Sequence, residues 1–300
     1  MLGQDASNLY PILKSDRSGY IDATGKLIIE PKFDSANDFC DGLARVRLGN
    51  LYGYINKAGN LVIETQYKWA GDFSEGLAPV SVDEGVAYIN KSGKIIIKPT
   101  PGHAREFKEG LAPKCIEGKW GYIDKSGRIA IEPQFEDAEL FSEGMAAIMS
   151  KGQWGYINKS GRIVIAPTYE EVEMFSEGLA PVSMCALRYE REKDEEDDEL
   201  PLCMYGKWGF IDHSGKIIIQ PQFKDAGYFS EGLAPVQSMQ GEWGYIDKTG
   251  QIVIPGQFND ACPFNQGIAY VEISERDGRV VPFEVGYIDK SGKYVWYPQR

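Results

Sequence analysis

In "KWGYIDKSGRIAIEPQFEDAELFSEGMAAI", residues 119–148, the pattern of apolar and polar positions changes period along the chain. Trp120 and Tyr122 fall on one face of a strand, and Gly121 and Ile123 on the other, as a two-residue period requires. After a polar break, Ile129 and Ile131 share a face opposite Ala130. Both strands are thus apolar on both faces, which predicts that each hairpin is sandwiched between neighbours. Pro133 is expected to end the second strand, and the three-residue spacing of Phe135, Ala138 and Phe141 predicts a single helical turn. The segment after "FSEG", written "LAPV" in most copies, reads as a third strand leading to the next hairpin.

The hairpin recurs eight times, with copies of "GYIDKSG" starting at Gly19, Gly53, Ala87, Gly121, Gly155, Gly209, Gly244 and Gly286. Successive starts lie 34, 34, 34, 34, 54, 35 and 42 residues apart, a period typical of solenoids, propellers or arrays. The expectation is an all-β chain in which residues 1–300 form a single array, its units starting near 9, 43, 77, 111, 145, 179, 233 and 268, with insertions at about 186–204 and 274–284. The chain opens with "LYPILKSD", aligned with "LAPV", and stops at "KYVWYPQR", so the eight three-stranded antiparallel meanders are complete and no blade is shared between the ends. This favours an open curved or superhelical stack, a solenoid of roughly 34-residue repeats, with a closed eight-bladed β-propeller as the alternative.

Asp124, Lys125 and Ser126 look like chemistry but fit a three-residue hairpin turn closed by Gly127, with Gly161, Gly215 and Gly250 as its counterparts. The first turn position reads Asp22, Asn56, Asn90, Asp124, Asn158, Asp212, Asp247 and Asp289. A capping acceptor tolerates that exchange, whereas a catalytic acid or metal ligand would lose its charge. A second acid column, Asp41, Glu75, Glu109, Glu143, Glu177 and Glu231, ends in Gln266 and reads as a solvated turn before a glycine.

These residues resemble the WG-repeat (KWG) family of bacterial β-repeat proteins, through the Trp-Gly pairs at Trp120, Trp154, Trp208 and Trp243. The resemblance spans about residues 9–297 and implies a bacterial origin and a β-repeat architecture, with no catalytic residues attached to the repeat. The tryptophan position holds Ser18, Tyr52, Val86 and Val285 in the first three copies and the last, departures that read as caps.

Composition excludes several function classes. The formal net charge of −12 is a poor match for a phosphate backbone, so nucleic acid is not expected as a partner. No stretch reaches the roughly 20 apolar residues of a membrane span, and the N-terminal residues lack a secretory pattern, so a cytoplasmic location is expected. The five cysteines occupy unequal repeat positions, and Cys185 and Cys203 are expected to be reduced thiols. His103 and His213 have no repeated partner, so neither an enzyme activity nor a cofactor or metal site is expected.

Departures from the period are the better functional candidates, because insertions in repeat arrays map to loops on binding faces. The largest, "CALRYEREKDEEDDELPLC", carries three basic and eight acidic residues between Arg188 and Leu200. Its acids Glu190, Glu192, Asp194, Glu195, Glu196, Asp197, Asp198 and Glu199, with Arg276 and Asp277 of the second insertion, are the candidate partner-binding residues. The expected function is a non-enzymatic scaffold for protein–protein interaction, its partner carrying a basic patch. The alternative is a carbohydrate or other small-ligand module using rows of Trp and Tyr.

Overall fold

The computed structural model describes residues 8–14, 16–184, 206–276 and 279–296, with side chains placed outside 274–284. Every regular element among them is a β-strand, and the strands form eight separate antiparallel sheets with sequential strands side by side. The chain divides into two compact units between Phe141 and Ser142.

In the first unit, the first sheet contains Leu9–Lys14, Arg17–Asp22 and Leu27–Phe33, and the second contains Ser35–Cys40, Leu43–Leu48, Leu51–Ile55 and Leu61–Tyr67. The third contains Leu77–Val82, Gly85–Asn90 and Ile95–Thr100, and the fourth Leu111–Ile116, Lys119–Asp124 and Ile129–Phe135. In the second unit, the fifth sheet includes Met145–Ser150, Gln153–Asn158 and Ile163–Tyr169, and the sixth is Glu171–Val172, Ala180–Met184, Lys207–Ile211 and Ile217–Phe223. The seventh is Asp225–Ala226, Ala234–Gln237, Trp243–Ile246 and Ile252–Phe258, and the eighth Asp260–Ala261, Ile268–Arg276, Arg279–Asp289 and Tyr294–Trp296.

These sheets are the blades of an eight-bladed β-propeller, which corrects the expected solenoid, an open curved or superhelical stack of three-stranded meanders. A β-solenoid carries its hydrogen-bond ladders from one repeat into the next, whereas here each ladder ends within its own sheet. The meander is also incomplete as a description, because a short extra strand precedes "FSEG" where a helical turn was expected. In the seventh sheet Ala226 pairs with Val236, and Gly227 N–H donates to the Pro235 carbonyl at 2.9 Å. This strand covers the edge of the "LAPV" strand, whose backbone groups would otherwise lack partners. In the third and fourth sheets the same place is held by single bridges, Ala70 to Val80 and Ala104 to Lys114.

Pro133 does not end its strand but lies within Ile129–Phe135. Trp120 pairs with Phe135 and Tyr122 with Ile131, so three residues bulge opposite Gly121. Proline, which has no N–H to offer a ladder, suits that bulge. The bulge also explains the glycine of each Trp-Gly pair. A Cβ at Gly209 would lie 2.6 Å from the Ile219 carbonyl oxygen and 2.8 Å from Pro221 N, both backbone atoms.

Apolar burial is one-sided on the outer strand. Tyr122 and Ile123 are buried, as are Ile131 and Phe135, but Ile129 is 48% exposed and Ala130 is exposed too. Only the middle strand is sandwiched on both faces as predicted.

Candidate functional site

The repeated polar residues are absorbed by the architecture. Asp124 Oδ1 accepts from Ser126 N–H at 2.8 Å, Ser126 Oγ–H at 2.6 Å and Arg128 N–H at 3.1 Å, and Gly127 closes the turn at φ +82°. Asn158 makes the same bonds as Asp124, which accounts for the Asp/Asn exchange. Tyr20, Tyr54, Tyr88, Tyr122, Tyr156 and Tyr245 each send the hydroxyl to a backbone carbonyl 17 residues on, as in Tyr54 to Gly71 at 2.7 Å and Tyr245 to Cys262 at 2.9 Å. Burial raises the pKa of both hydroxyls far above the usual tyrosine value.

The second acid column forms a latch rather than a solvated turn. Asp41, Glu75, Glu143, Glu177 and Glu231 all adopt left-handed backbone, at φ 53–54°. Glu177 accepts from Gly232 N–H, at the next "FSEG", at 3.1 Å and pairs with Lys248, from the turn of the second repeat downstream, at 3.0 Å. Glu75 likewise receives Gly110 N–H and Lys125. Burial would raise the pKa of Glu177, but the Lys248 and Gly232 bonds outweigh it and hold the carboxyl below the usual range. His213 replaces the lysine opposite Glu143 at 3.3 Å and stacks on Phe175, which gives this lone histidine a structural place.

Trp208 is buried, while Trp120, Trp154 and Trp243 are half-buried. The ring of Trp120 is covered by the Arg105 guanidinium at 4.9 Å from its centroid. With every tyrosine of the first five "GYI" or "AYI" copies buried, the proposed tyrosine rows have no face to offer a sugar.

The repeat fails between the third and fourth sheets. At the other junctions within each unit an aromatic ends the outer strand and packs against a valine of the following sheet, as Phe223 and Val236 do in one core cluster and Tyr67 and Val80 in another. In the third repeat Pro101 stands at that aromatic's place in the sequence and Val86 at the tryptophan's, and the residue paired with Val86, where the other sheets pair the aromatic, is Thr100. Ala87 replaces the usual glycine, and the bulge opposite it is one residue shorter, with Val86 pairing to Thr100 and Tyr88 to Ile97. A side chain at position 87 cannot accept the deeper bulge that a glycine allows.

The lost aromatic volume leaves a cavity of about 640 Å³, walled by Val86, Ile97, Ile116, Ile123 and Ile129. Lys98, Thr100, Pro101, Gly102, Glu117 and Gly118, all exposed, border the opening. Lys114 also lines it, in the column held elsewhere by Ile12, Val46, Val80, Ile148, Val182, Val236 and Val271. The residue is only 3% exposed, and its Nζ donates to the Thr100 carbonyl at 3.3 Å. Burial lowers its pKa from the ordinary lysine value. Sequence reasoning missed this site, although a lysine interrupting a column of valine and isoleucine was its signal.

A second cluster of titratable groups in the first unit gathers from the segments before "FSEG" and the Leu43–Leu48 strand. Asp72 pairs with Arg45 at 3.1 Å, and its N–H donates to Glu106 at 3.0 Å. Burial raises the pKa of Asp72 despite Arg45, with Glu106 and Asp38 adding to the rise. Among the described residues no group of three or more His, Cys, Asp or Glu side chains is arranged to hold a metal ion.

Glu190, Glu192, Asp194, Glu195, Glu196, Asp197, Asp198 and Glu199, together with Cys185, Cys203 and Asp277, lie outside the described residues. Both insertions fall at the same hairpin connection. The first follows Ala180–Met184 and precedes Lys207–Ile211, and the second joins Ile268–Arg276 to Arg279–Asp289. The latter pair continues, across a register shift between Ile273 and Glu275, out to Arg276 opposite Arg279, whereas the corresponding strands of the seventh sheet have four residues each. Among the described residues no helix is long and apolar enough to cross a membrane.

Comparison with known proteins agrees with this architecture. A model of the WG containing repeat matches residues 19–52, 52–85, 87–120, 120–153, 154–184, 208–238 and 243–275. No curated protein matches. Among solved structures, the computationally designed Ika8 protein is similar at 10% identity and a TM-score of 0.53, over 99% of this chain and 88% of that one. BamB from Moraxella catarrhalis is similar at 10% identity and 0.52, over 90% and 94%, and Kluyveromyces lactis Hsv2 at 8% and 0.51, over 85% and 98%. At these identities the likeness concerns the fold alone. A propeller of repeats suggests, in general, a scaffold for protein interaction.

Proposed function

Since the chain belongs to the WG-repeat family, we propose that it is a non-enzymatic scaffold that binds a protein partner at the insertion edge of its second unit. The observation that carries this reading is the shared position of the two insertions, at the same strand connection of the sixth and eighth sheets. The repeated acids, tyrosines and turn residues have architectural partners, so the irregular segments are what distinguish this chain from any other array of the same repeat. The segment from Arg188 to Leu200 has a net charge of −5, which suits a partner with a basic patch. We place this activity in a reducing cytoplasm, in line with cysteines that do not follow the repeat.

The test is affinity capture from the native host with the full chain and with a chain lacking residues 188–200. Partners should be retained by the first and lost from the second, and retention should weaken as salt rises. Equal recovery by both would remove the acidic segment from the reading.

A further inference from the structure

The cavity between the third and fourth sheets combines three departures from the repeat that point the same way. Val86 and Pro101 withdraw two aromatic side chains from one junction, and Lys114 replaces the valine that such an aromatic would cover. Its volume of about 640 Å³ falls within the range of small-molecule sites, roughly 300–1,000 Å³. The lining is aliphatic apart from a few polar groups, the usual make-up of a pocket that holds an apolar body and orients one polar end.

Lys114 supplies that polar end. Buried charges are normally paired, because removing an ammonium from water is unfavourable unless an opposite charge and hydrogen bonds compensate. Here the ammonium has one backbone carbonyl, Thr100 O at 3.3 Å, and forms no ion pair among the described residues. Lysine carries three donors, so two remain for a ligand. Lys98 and Glu117 at the opening are of opposite sign, so the border adds no net charge and the site is matched to a single negative charge.

We propose that this cavity binds a small apolar monocarboxylate, its carboxylate meeting Lys114 Nζ and its hydrocarbon body occupying the space left by Val86 and Pro101. The site is independent of the insertion edge and goes beyond the scaffold reading. Tyr88 and Gly127 of the frame also line it, while Lys114, its polar end, takes no part in the latch, the turn or the tyrosine bond.

Calorimetric titration of the full chain with octanoate, octan-1-ol and octylammonium tests this directly, with thermal unfolding used to verify that each variant folds. Octanoate should bind at least about tenfold more tightly than octan-1-ol, and octylammonium should not bind. Lys114→Met should lower octanoate affinity about tenfold and leave octan-1-ol within about twofold. Pro101→Phe, which sets a bulky ring in the cavity's border, should abolish binding of both. The proposal is overturned if octanoate does not bind, if it binds no better than octan-1-ol, if Lys114→Met retains full octanoate affinity, or if folded Pro101→Phe still binds.

Discussion

The junction between the sixth and seventh sheets and that between the third and fourth are built from the same repeat and reach opposite results. In the former, Phe223, Val236 and Trp208 join one buried cluster. In the latter, Pro101, Lys114 and Val86 hold the corresponding places in the sequence, Thr100 pairs with Val86, and a cavity results. The surrounding frame is kept in both, since Tyr88 still bonds the Arg105 carbonyl at 2.8 Å and Phe107 is still buried. A repeat can therefore hollow out one junction by changing a few side chains while the hydrogen-bonded frame stays in place.

The sharpest way to break this comparison is to exchange the two junctions' central residues. Val236→Lys should destabilise by more than about 4 kcal/mol in denaturant unfolding, because the charge enters a filled cluster with no cavity beside it. Phe223→Ala should cost roughly 3–5 kcal/mol, whereas Pro101→Ala at the open junction should cost less than about 1 kcal/mol. Gly209→Ala should cost roughly 1–3 kcal/mol through collision with the bulged backbone, and Ala87→Gly no more than about 1 kcal/mol, since the third sheet already uses the shorter bulge.

Lys114→Val should raise stability by roughly 1–2 kcal/mol, as removal of a buried unpaired charge does. That gain depends on pH with a definite sign. Burial lowers the folded-state pKa of Lys114, so the unfolded chain holds a proton that the folded chain has released, and folding becomes more favourable as pH rises through that window. The advantage of Lys114→Val should therefore shrink between neutral pH and about pH 10. Of the other groups at the cavity, Lys98 and Glu117 are exposed, and burial pushes the Tyr88 hydroxyl upward and out of that window. An unchanged gap would assign the effect to packing alone.

The smallest effect is expected at the latch. Glu177→Gln should cost about 0.2–1 kcal/mol at neutral pH, because the pair with Lys248 is partly exposed. The carboxyl's folded-state pKa is lowered, so its contribution is present above the usual carboxylate range and lost as pH falls through the folded value. Acid titration of unfolding should thus be shallower in Glu177→Gln than in the parent chain.

Local features of this fold were legible in the sequence, and long-range ones were not. The Asp124 turn could be read because all its bonds lie within four residues. The eight blades could be counted from eight hairpins, but whether repeats run on as a stack or separate into blades depends on ladders that the side-chain pattern does not specify. The three-residue spacing of Phe135, Ala138 and Phe141 crosses from one strand to the next, so it mimicked a helical turn. The Trp-Gly glycine answers to a bulge in a different strand, and Glu75 answers to Gly110 and Lys125, 35 and 50 residues away. Val86 stands out in the sequence as a departure from the tryptophan column, but only its meeting with Pro101 and Lys114 in space makes it a wall of a cavity.

The latch has a consequence for how the molecule comes apart. Glu177 touches the next repeat through Gly232 and the one after through Lys248, and Glu231 reaches Gly267 and Lys290 in the same manner. Energies in such a chain of repeats are not nearest-neighbour sums, since each carboxylate ties three successive units. Loosening one blade therefore releases a tether on its second neighbour, and amide exchange should spread in overlapping triplets rather than blade by blade.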